Sequence, residues 1–366
     1  MILVKWMFAI LPYVAFIATL WAFVYRKEQG RTARIVWMAW LLFCCSKFLC
    51  FATLGGEAFY PELPELLVWF WNWAYSGAVI LCALSFVWWH RSRRWLLPLV
   101  AWSLSAWGLW NGISLPPVVE RTFVFDDLPE ELDGYRIVHL TDIHTSSAAR
   151  RWRTEGLVHA ANALDADLIC LTGDNVDGRV EQRLPDVEPL RDLRARDGVY
   201  LVTGNHEYYF GWPAWKAAYE RLGLRFLVNE CVFPRKSLAL GGVNDYAAYN
   251  VKTGEVLDEQ PDVRLAFAAA TNGEFRVLLQ HQPKFARDNL RAFGVRLQLS
   301  GHTHGGIMPI LASVVESYNK GFLRGLYETE GGQVFVHPGS GQWAGFPVRF
   351  FDPAEITLIT LRRTRQ

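Results

Sequence analysis

The sequence predicts an α/β domain with two sheets flanked by helices, carried behind an all-α region of four membrane-spanning helices. Three observations carry that expectation. Four long stretches of the first 119 residues are almost free of charge. Beyond them, short β-branched apolar runs alternate with helix-like segments, until residue 333, where strand-like runs follow one another without helices. Five short runs of imidazole, carboxylate and amide side chains close or follow the apolar strands: Asp142-Ile143-His144, Gly173–Asp177, Gly204–Glu207, His281 and Gly301–His304.

The charge-poor stretches are 6–25, 35–54, 66–89 and 95–115. A helix needs about 20 apolar residues to cross the hydrocarbon core, and each stretch is long enough. Thirteen of the 17 Trp residues lie before Pro116, and Trp88, Trp89, Trp95 and Trp110 stand near span ends, where amphipathic rings sit at headgroup level. The connection after the first span carries Arg26, Lys27, Arg31 and Arg34. The one after the second carries Glu57, Glu62 and Glu65, and the one after the third Arg91, Arg93 and Arg94. Positive loops stay in the cytoplasm. The bias predicts an integral membrane protein with the N-terminus and the whole segment beyond residue 119 outside the cytoplasm. Lys47, the one charge within a span, is expected to snorkel to the interface.

Pro116-Pro117 ends the fourth span and opens a linker, 116–131, with a lead-in strand at Thr122–Phe125. The soluble domain is expected over 132–366. Its strand candidates are Tyr135–Thr141, Asp167–Thr172, Gly198–Thr203, Arg225–Asn229, Ser237–Val243, Arg276–Gln280 and Val295–Ser300. Helices are expected over Arg153–Leu164, Leu184–Ala195, Pro213–Leu222 and Lys284–Phe293. This alternation predicts a sheet covered on both faces. The tail strands Gln333–His337, Val348–Phe351 and Ile356–Leu361 predict a second, more antiparallel sheet. From residue 120 onward the chain holds 28 basic and 32 acidic residues, so the basic footprint of a nucleic-acid binder is missing. The six Cys residues show no Cys-x-x-Cys spacing, which leaves buried thiols as the expectation; a Cys170–Cys231 bridge is the alternative.

The strand-end residues carry the chemistry. Asp142 and His144 are two apart and project to one side of an extended chain. Asp174 can bridge two ions with its two oxygens, Asn205 offers an uncharged amide oxygen, and His281, His302 and His304 offer imidazoles. Neutral imidazole with carboxylate suits Mn, Fe or Zn rather than Ca or Mg. These seven side chains are enough for two divalent ions, and a two-ion site suits in-line displacement at phosphorus. His206 remains as a general acid or a donor to the transition state. Asp177 is a candidate acceptor behind a ligand imidazole. His337, before Pro338-Gly339, is a candidate for approaching the site, and His139 is expected in the core.

Asp-x-His, Gly-Asp-x-x-Asp, Gly-Asn-His-Glu, a later His before Gln-Pro, and Gly-His-Thr-His-Gly-Gly together resemble the calcineurin-like metallophosphoesterase family. The tail resembles its bacterial membrane-anchored branch through Gly325-Leu326-Tyr327, His337–Gly341, Pro347–Phe350 and Pro353–Ile356. The resemblance implies a two-sheet sandwich flanked by helices. It implies that Asp142, His144, Asp174 and His304 hold one metal, that Asp174, Asn205, His281 and His302 hold the other, and that His206 serves the leaving group. Ile307 departs from the branch, which often has Gln there behind the ligands. The expected function is a membrane-anchored phosphoesterase that uses metal-activated water on a phosphomonoester or phosphodiester, lipid-linked substrates included. The alternatives are a catalytically silent membrane scaffold of the same fold and a UDP-diacylglucosamine-type pyrophosphatase.

Overall fold

The computed structural model describes residues 30–87, 96–250, 254–271, 273–306, 309–350 and 352–364. They fall into two compact units. One comprises the described residues up to Ile113 together with Trp343–Phe350; the other comprises Ser114–Gln342 and the residues after 350.

The first unit is helical: Arg31–Cys45, Lys47–Leu54, Glu65–Val87 and Leu97–Ile113. Among the described residues, one helix, Glu65–Ser85, is both long and apolar enough to cross a membrane unbroken. The expected span 35–54 is bent by 52° at Ser46, whose hydroxyl donates back to the Phe43 carbonyl at 2.6 Å, a local bond that bends helices. The expected fourth span is a helix of 17 residues, about 25 Å long at the helical rise and short of the ~30 Å hydrocarbon core. Pro116-Pro117 cannot extend it. The expected span 6–25 lies outside the described residues.

Lys47 does not snorkel. Its ammonium is enclosed, donating to Asn72 Oδ1 at 2.7 Å and to the Gly345 carbonyl at 2.6 Å, with the Phe48 and Tyr75 ring centroids at 4.6 and 4.7 Å. Oxygen acceptors and ring faces replace the water that snorkelling would reach. Lys47→Met keeps the bulk and strands both acceptors, each worth roughly 1–3 kcal/mol when buried without a donor. A lowered thermal midpoint in detergent is the expected outcome; an unchanged midpoint would contradict this packing.

The second unit carries fourteen described strands: β1 (Val118–Phe125), β2 (Arg136–Leu140), β3 (Leu168–Leu171), β4 (Val199–Leu201), β5 (Arg225–Phe226), β6 (Glu230–Arg235), β7 (Leu238–Gly242), β8 (Tyr249–Asn250), β9 (Glu255–Val256), β10 (Phe275–Leu279), β11 (Leu297–Ser300), β12 (Gly325–Thr329), β13 (Gly332–Val336) and β14 (Ile356–Arg363). Two six-stranded sheets form, in the orders β1-β14-β2-β3-β4-β5 and β12-β13-β11-β10-β7-β6, beside a small β8–β9 hairpin. The strands β2 to β5 run parallel, as do β7, β10, β11 and β13.

Period-two alternation builds the layers. Ile137, Leu168, Cys170 and Val202 face Leu240, Val277, Leu279 and Leu299 in one core between the sheets. Their neighbours Val138, Leu140, Ile169 and Leu171 face outward onto Leu157, Val158 and Trp215 of the helices Arg151–Asn162 and Trp212–Arg221. On the far side, Leu278, Val334 and Val336 pack on Ala286 and Leu290 of the helix Ala286–Phe293. Cys170 and Cys231 are free thiols, so no bridge joins them.

The tail supplies only part of the second sheet: β13 joins it, antiparallel to β12 and parallel to β11. The last strand, β14, instead inserts into the first sheet between β1 and β2, antiparallel to β2. The expected strand 348–351 is absent among the described residues. Arg349 N–H donates to the Gly108 carbonyl at 2.9 Å, so this segment belongs to the helical unit. The expected helix Leu184–Ala195 breaks into Val180–Val187 and a 3₁₀ turn, Glu188–Asp192, where Pro189 removes a backbone donor.

Candidate metal centre

Both sheets contribute to the site: β2, β3 and β4 of one and β10 and β11 of the other end where their short loops position ligands. Asp142 and His144 follow β2, Asp174 follows β3, Asn205 and His206 follow β4, His281 follows β10, and His302 and His304 follow β11. Backbone bonds lock these loops together: Asp142 N–H to the Gly173 carbonyl (2.9 Å), His144 N–H to the Asp174 carbonyl (3.1 Å) and Gly301 N–H to the His281 carbonyl (2.9 Å).

Five of these residues stand at positive φ: Asp142 (52°), His144 (50°), Asp174 (53°), His302 (72°) and His304 (49°). That conformation is uncommon outside glycine and costs about 1–3 kcal/mol per residue. It turns each side chain off the strand direction, toward its counterparts. Glycine is required where loops touch: a Cβ on Gly204 would lie 2.2 Å from Asp174 Oδ1, and one on Gly301 2.2 Å from Asp142 Oδ2.

Among the described residues three groups of donor atoms lie within 4.8 Å of one another: Asp142, His144 and His304; Asp174, His281 and His302; and, sharing His144 with the first, His144, Asp177 and His206. In the first, Asp142 Oδ1 lies 3.3 Å from His304 Nε2 and 3.8 Å from His144 Nε2, and the two Nε2 atoms lie 3.1 Å apart. In the second, Asp174 Oδ2 lies 3.2 Å from His281 Nε2. The same oxygen is 3.9 Å from His144 Nε2 and 3.7 Å from His206 Nε2, so the Asp174 carboxylate stands between these two groups.

The imidazole tautomers follow from their outer partners. His144 Nδ1 and His206 Nδ1 both face Asp177 Oδ1, at 2.8 and 2.6 Å, and His281 Nδ1 faces the Thr172 carbonyl at 2.6 Å. Those oxygens only accept, so each Nδ1 carries the proton and the Nε2 lone pairs of His144 and His281 point inward. Asn205 Oδ1 and His281 Nε2 are buried without a hydrogen-bond partner among the described residues. Inward lone pairs, stranded acceptors and two carboxylates are what a pair of divalent cations satisfies.

The charges are coupled. Burial alone would lower the His206 pKa, but Asp174 and Asp177 raise it to about 9. Burial alone would raise the Asp177 pKa, but His144 and His206 hold it at about 2. Asp177→Asn keeps the shape and removes the charged acceptor shared by two imidazoles. A roughly 10–100-fold loss of metal affinity is expected, read by titration of metal-stripped protein; unchanged affinity would remove Asp177 from the account.

Two features escaped sequence reading. Glu207 is fully buried and accepts from Gly204 N–H (2.8 Å), Asp174 N–H (3.0 Å), Asn175 N–H (2.8 Å) and Asn175 Nδ2 (3.2 Å). It ties the Asp174 loop to the Asn205 loop. Its signal was present, as a carboxylate in the first turn after Gly204. Gln282 Nε2 donates to both oxygens of Asp245, at 2.9 and 2.8 Å, which fixes the chain just past His281; spacing gave no hint of that pairing. His337 stays out of the two groups: its ring lies 4.9 Å from that of His139, and its Nδ1 accepts from Gly339 N–H at 2.8 Å. His139 is core, 2.8 Å from Thr172 Oγ1. Ile307 lies outside the described residues.

Residues 135–306 match the calcineurin-like phosphoesterase family. An uncharacterized metallophosphoesterase of Helicobacter pylori is 33% identical over 69% of this chain and 66% of its own length. A "transmembrane protein with metallophosphoesterase domain" of Danio rerio is 33% identical over 71% of this chain and 60% of its own. A Bacillus subtilis metallophosphoesterase, YkuE, is 29% identical over 67% and 85%. The chain thus spans just under two thirds of the Helicobacter and Danio relatives. Set beside donor groups that the five motifs bring together from both sheets, these matches identify residues 135–306 as a calcineurin-like phosphoesterase domain.

Proposed function

We propose that the chain is a membrane-anchored, metal-dependent phosphoesterase that hydrolyses a phosphomonoester or phosphodiester at a two-ion centre. The observation that carries this reading is the Asp174 carboxylate standing between two groups of donor atoms. Asp142, His144, Asp174 and His304 hold one ion, and Asp174, Asn205, His281 and His302 the other. Such ions supply positive charge beside the phosphoryl oxygens and lower the pKa of an attacking water. The chain's own residues do the rest. His206 keeps a proton at Nε2 for the departing oxygen, with Asp177 anchoring its Nδ1–H. Glu207 holds the Asp174 and Asn205 loops in register.

Membrane anchoring is supported by the apolar helix Glu65–Ser85 and by the Danio rerio relative, a transmembrane protein with a metallophosphoesterase domain. Loop charges support a catalytic domain outside the cytoplasm, which a reporter fused after Gln366 tests. A lipid-linked substrate is supported by the closeness in sequence of the domain to the apolar helices.

Detergent-purified protein should hydrolyse bis(p-nitrophenyl) phosphate or p-nitrophenyl phosphate with Mn²⁺, and chelation should stop it. No turnover with Mn, Fe, Zn, Co or Ni would favour the silent scaffold.

A further inference from the structure

A second cluster begins three residues past His281. Lys284 Nζ lies 4.8 Å from the centroid of the Tyr246 ring, 5.4 Å from that of Tyr318 and 5.6 Å from that of Phe285. Lys320 Nζ lies 4.0 Å from the same Phe285 centroid. Two ammonium groups therefore share one ring. Among the described residues neither has a carboxylate within 4.0 Å or a side-chain hydrogen bond, as the ion pairs and bonds made elsewhere by Arg296, Arg235 and Arg151 show by contrast. Tyr318 is 62% exposed, so the cluster opens to solvent.

The cluster is framed by the metal centre. Gln280 and Gln282 are the two neighbours of His281. Gln280 Nε2 donates to the Tyr246 hydroxyl at 3.0 Å, and Gln282 Nε2 holds Asp245, the residue before Tyr246. The Tyr246 and Phe285 rings meet edge to face at 5.1 Å. Lys320 is pinned from its own side: Arg287 donates to its carbonyl at 2.6 Å while packing 4.3 Å from the Phe322 centroid. Both ammonium groups thus hang from fixed backbone.

Two like charges over one ring repel, and cation–π attraction of about 0.5–1 kcal/mol per exposed pair does not remove the repulsion. Burial lowers the Lys284 pKa, Asp245 opposes the shift, and Lys320 adds to it. An anion between the two relieves the repulsion and forms charge-assisted hydrogen bonds to both. The surrounding rings suit a short apolar linker better than a second polar group.

We propose that Lys284 and Lys320, walled by Tyr246, Phe285 and Tyr318, form a subsite for a second phosphate on the substrate, so that the ester cleaved at the metal centre belongs to an organic bisphosphate or diphosphate. This rests on the phosphoesterase reading above. A matched pair of diesters separates the two: p-nitrophenyl ω-hydroxyalkyl phosphate and its ω-phosphoalkyl counterpart, with linkers of increasing length, assayed with the metal-loaded full chain. The ω-phosphate should raise kcat/KM, mainly through KM, by about tenfold or more at the best linker, the effect of one charge-assisted hydrogen bond. The Lys284→Gln/Lys320→Gln double variant should bring that ratio close to unity, and the Lys→Arg pair should restore it. Turnover of both esters without preference, or a preference that survives the double variant, overturns the subsite and leaves the phosphoesterase reading standing. No turnover of either diester while p-nitrophenyl phosphate is cleaved overturns the subsite alone, and no turnover of any of the three overturns both. Presenting the second phosphate on a lipid in phosphatidylcholine vesicles distinguishes a headgroup from a soluble ester, and in either form the preference must vanish in the double variant.

Discussion

Asp174→Ala will lower phosphoester hydrolysis by about three orders of magnitude, well beyond the 10–100-fold expected for a residue behind a ligand. The reason is geometric. One Asp174 oxygen faces His281, His144 and His206 at 3.2, 3.9 and 3.7 Å, and the other accepts from His206 N–H at 2.8 Å. In the proposed two-ion centre, removing the carboxylate would take a shared ligand from both ions and free the loop that presents Asn205 and His206. Folding will survive, because β3 and its core contacts are untouched, so near-native circular dichroism should accompany the loss. Asp174→Asn keeps one neutral oxygen, able to accept the His206 N–H or to face the ions but not both, and should retain part of the metal content with little activity. Turnover of Asp174→Ala within tenfold of the native enzyme would refute the shared-ligand role.

Glu207→Gln will be nearly as severe, and for a different reason. Each carboxylate oxygen accepts two N–H donors: Oε2 those of Asp174 and Gly204, Oε1 the backbone and side-chain donors of Asn175. Whichever way a glutamine amide is turned, its NH₂ group meets two donors instead of two acceptors. Two charge-assisted bonds are lost and a repulsion replaces them, an expected cost of about 3 kcal/mol or more. The thermal midpoint should fall, metal affinity should fall with it, and hydrogen exchange should rise at residues 173–175 and 204–206. Unchanged exchange at those amides would show that Glu207 does not hold the loops.

The same residues show what the sequence makes legible. Metal-ligand side chains at the ends of β-branched runs are visible because strands stop where their apolar alternation stops, and Asp142, Asp174, His281 and His302 do converge. What the runs do not reveal is which strands pair. β14 reads as a tail strand, yet its register against β2 is set by the burial of Ile359 and Leu361 between the sheets, a tertiary matter. Segment 348–351 has strand composition, but hydrogen bonds at Arg349 to Gly108 and Asn111 tie its described residues, 348–350, into the helical unit. Lys47 looks like a charge bound for the membrane surface because its acceptor, the Gly345 carbonyl, lies 298 positions away in sequence. Glu207 stands in the Gly-Asn-His-Glu run with no legible task, since a buried carboxylate satisfied by backbone N–H groups leaves no pattern of side chains to read.

The count of ions tests the central claim most directly. Metal-stripped protein loaded with Mn²⁺, freed of unbound ion and measured by elemental analysis should hold two ions per chain, with Asp174→Ala holding no more than one. A native chain that takes up one ion or none under every loading condition would contradict the two-ion centre and the chemistry built on it.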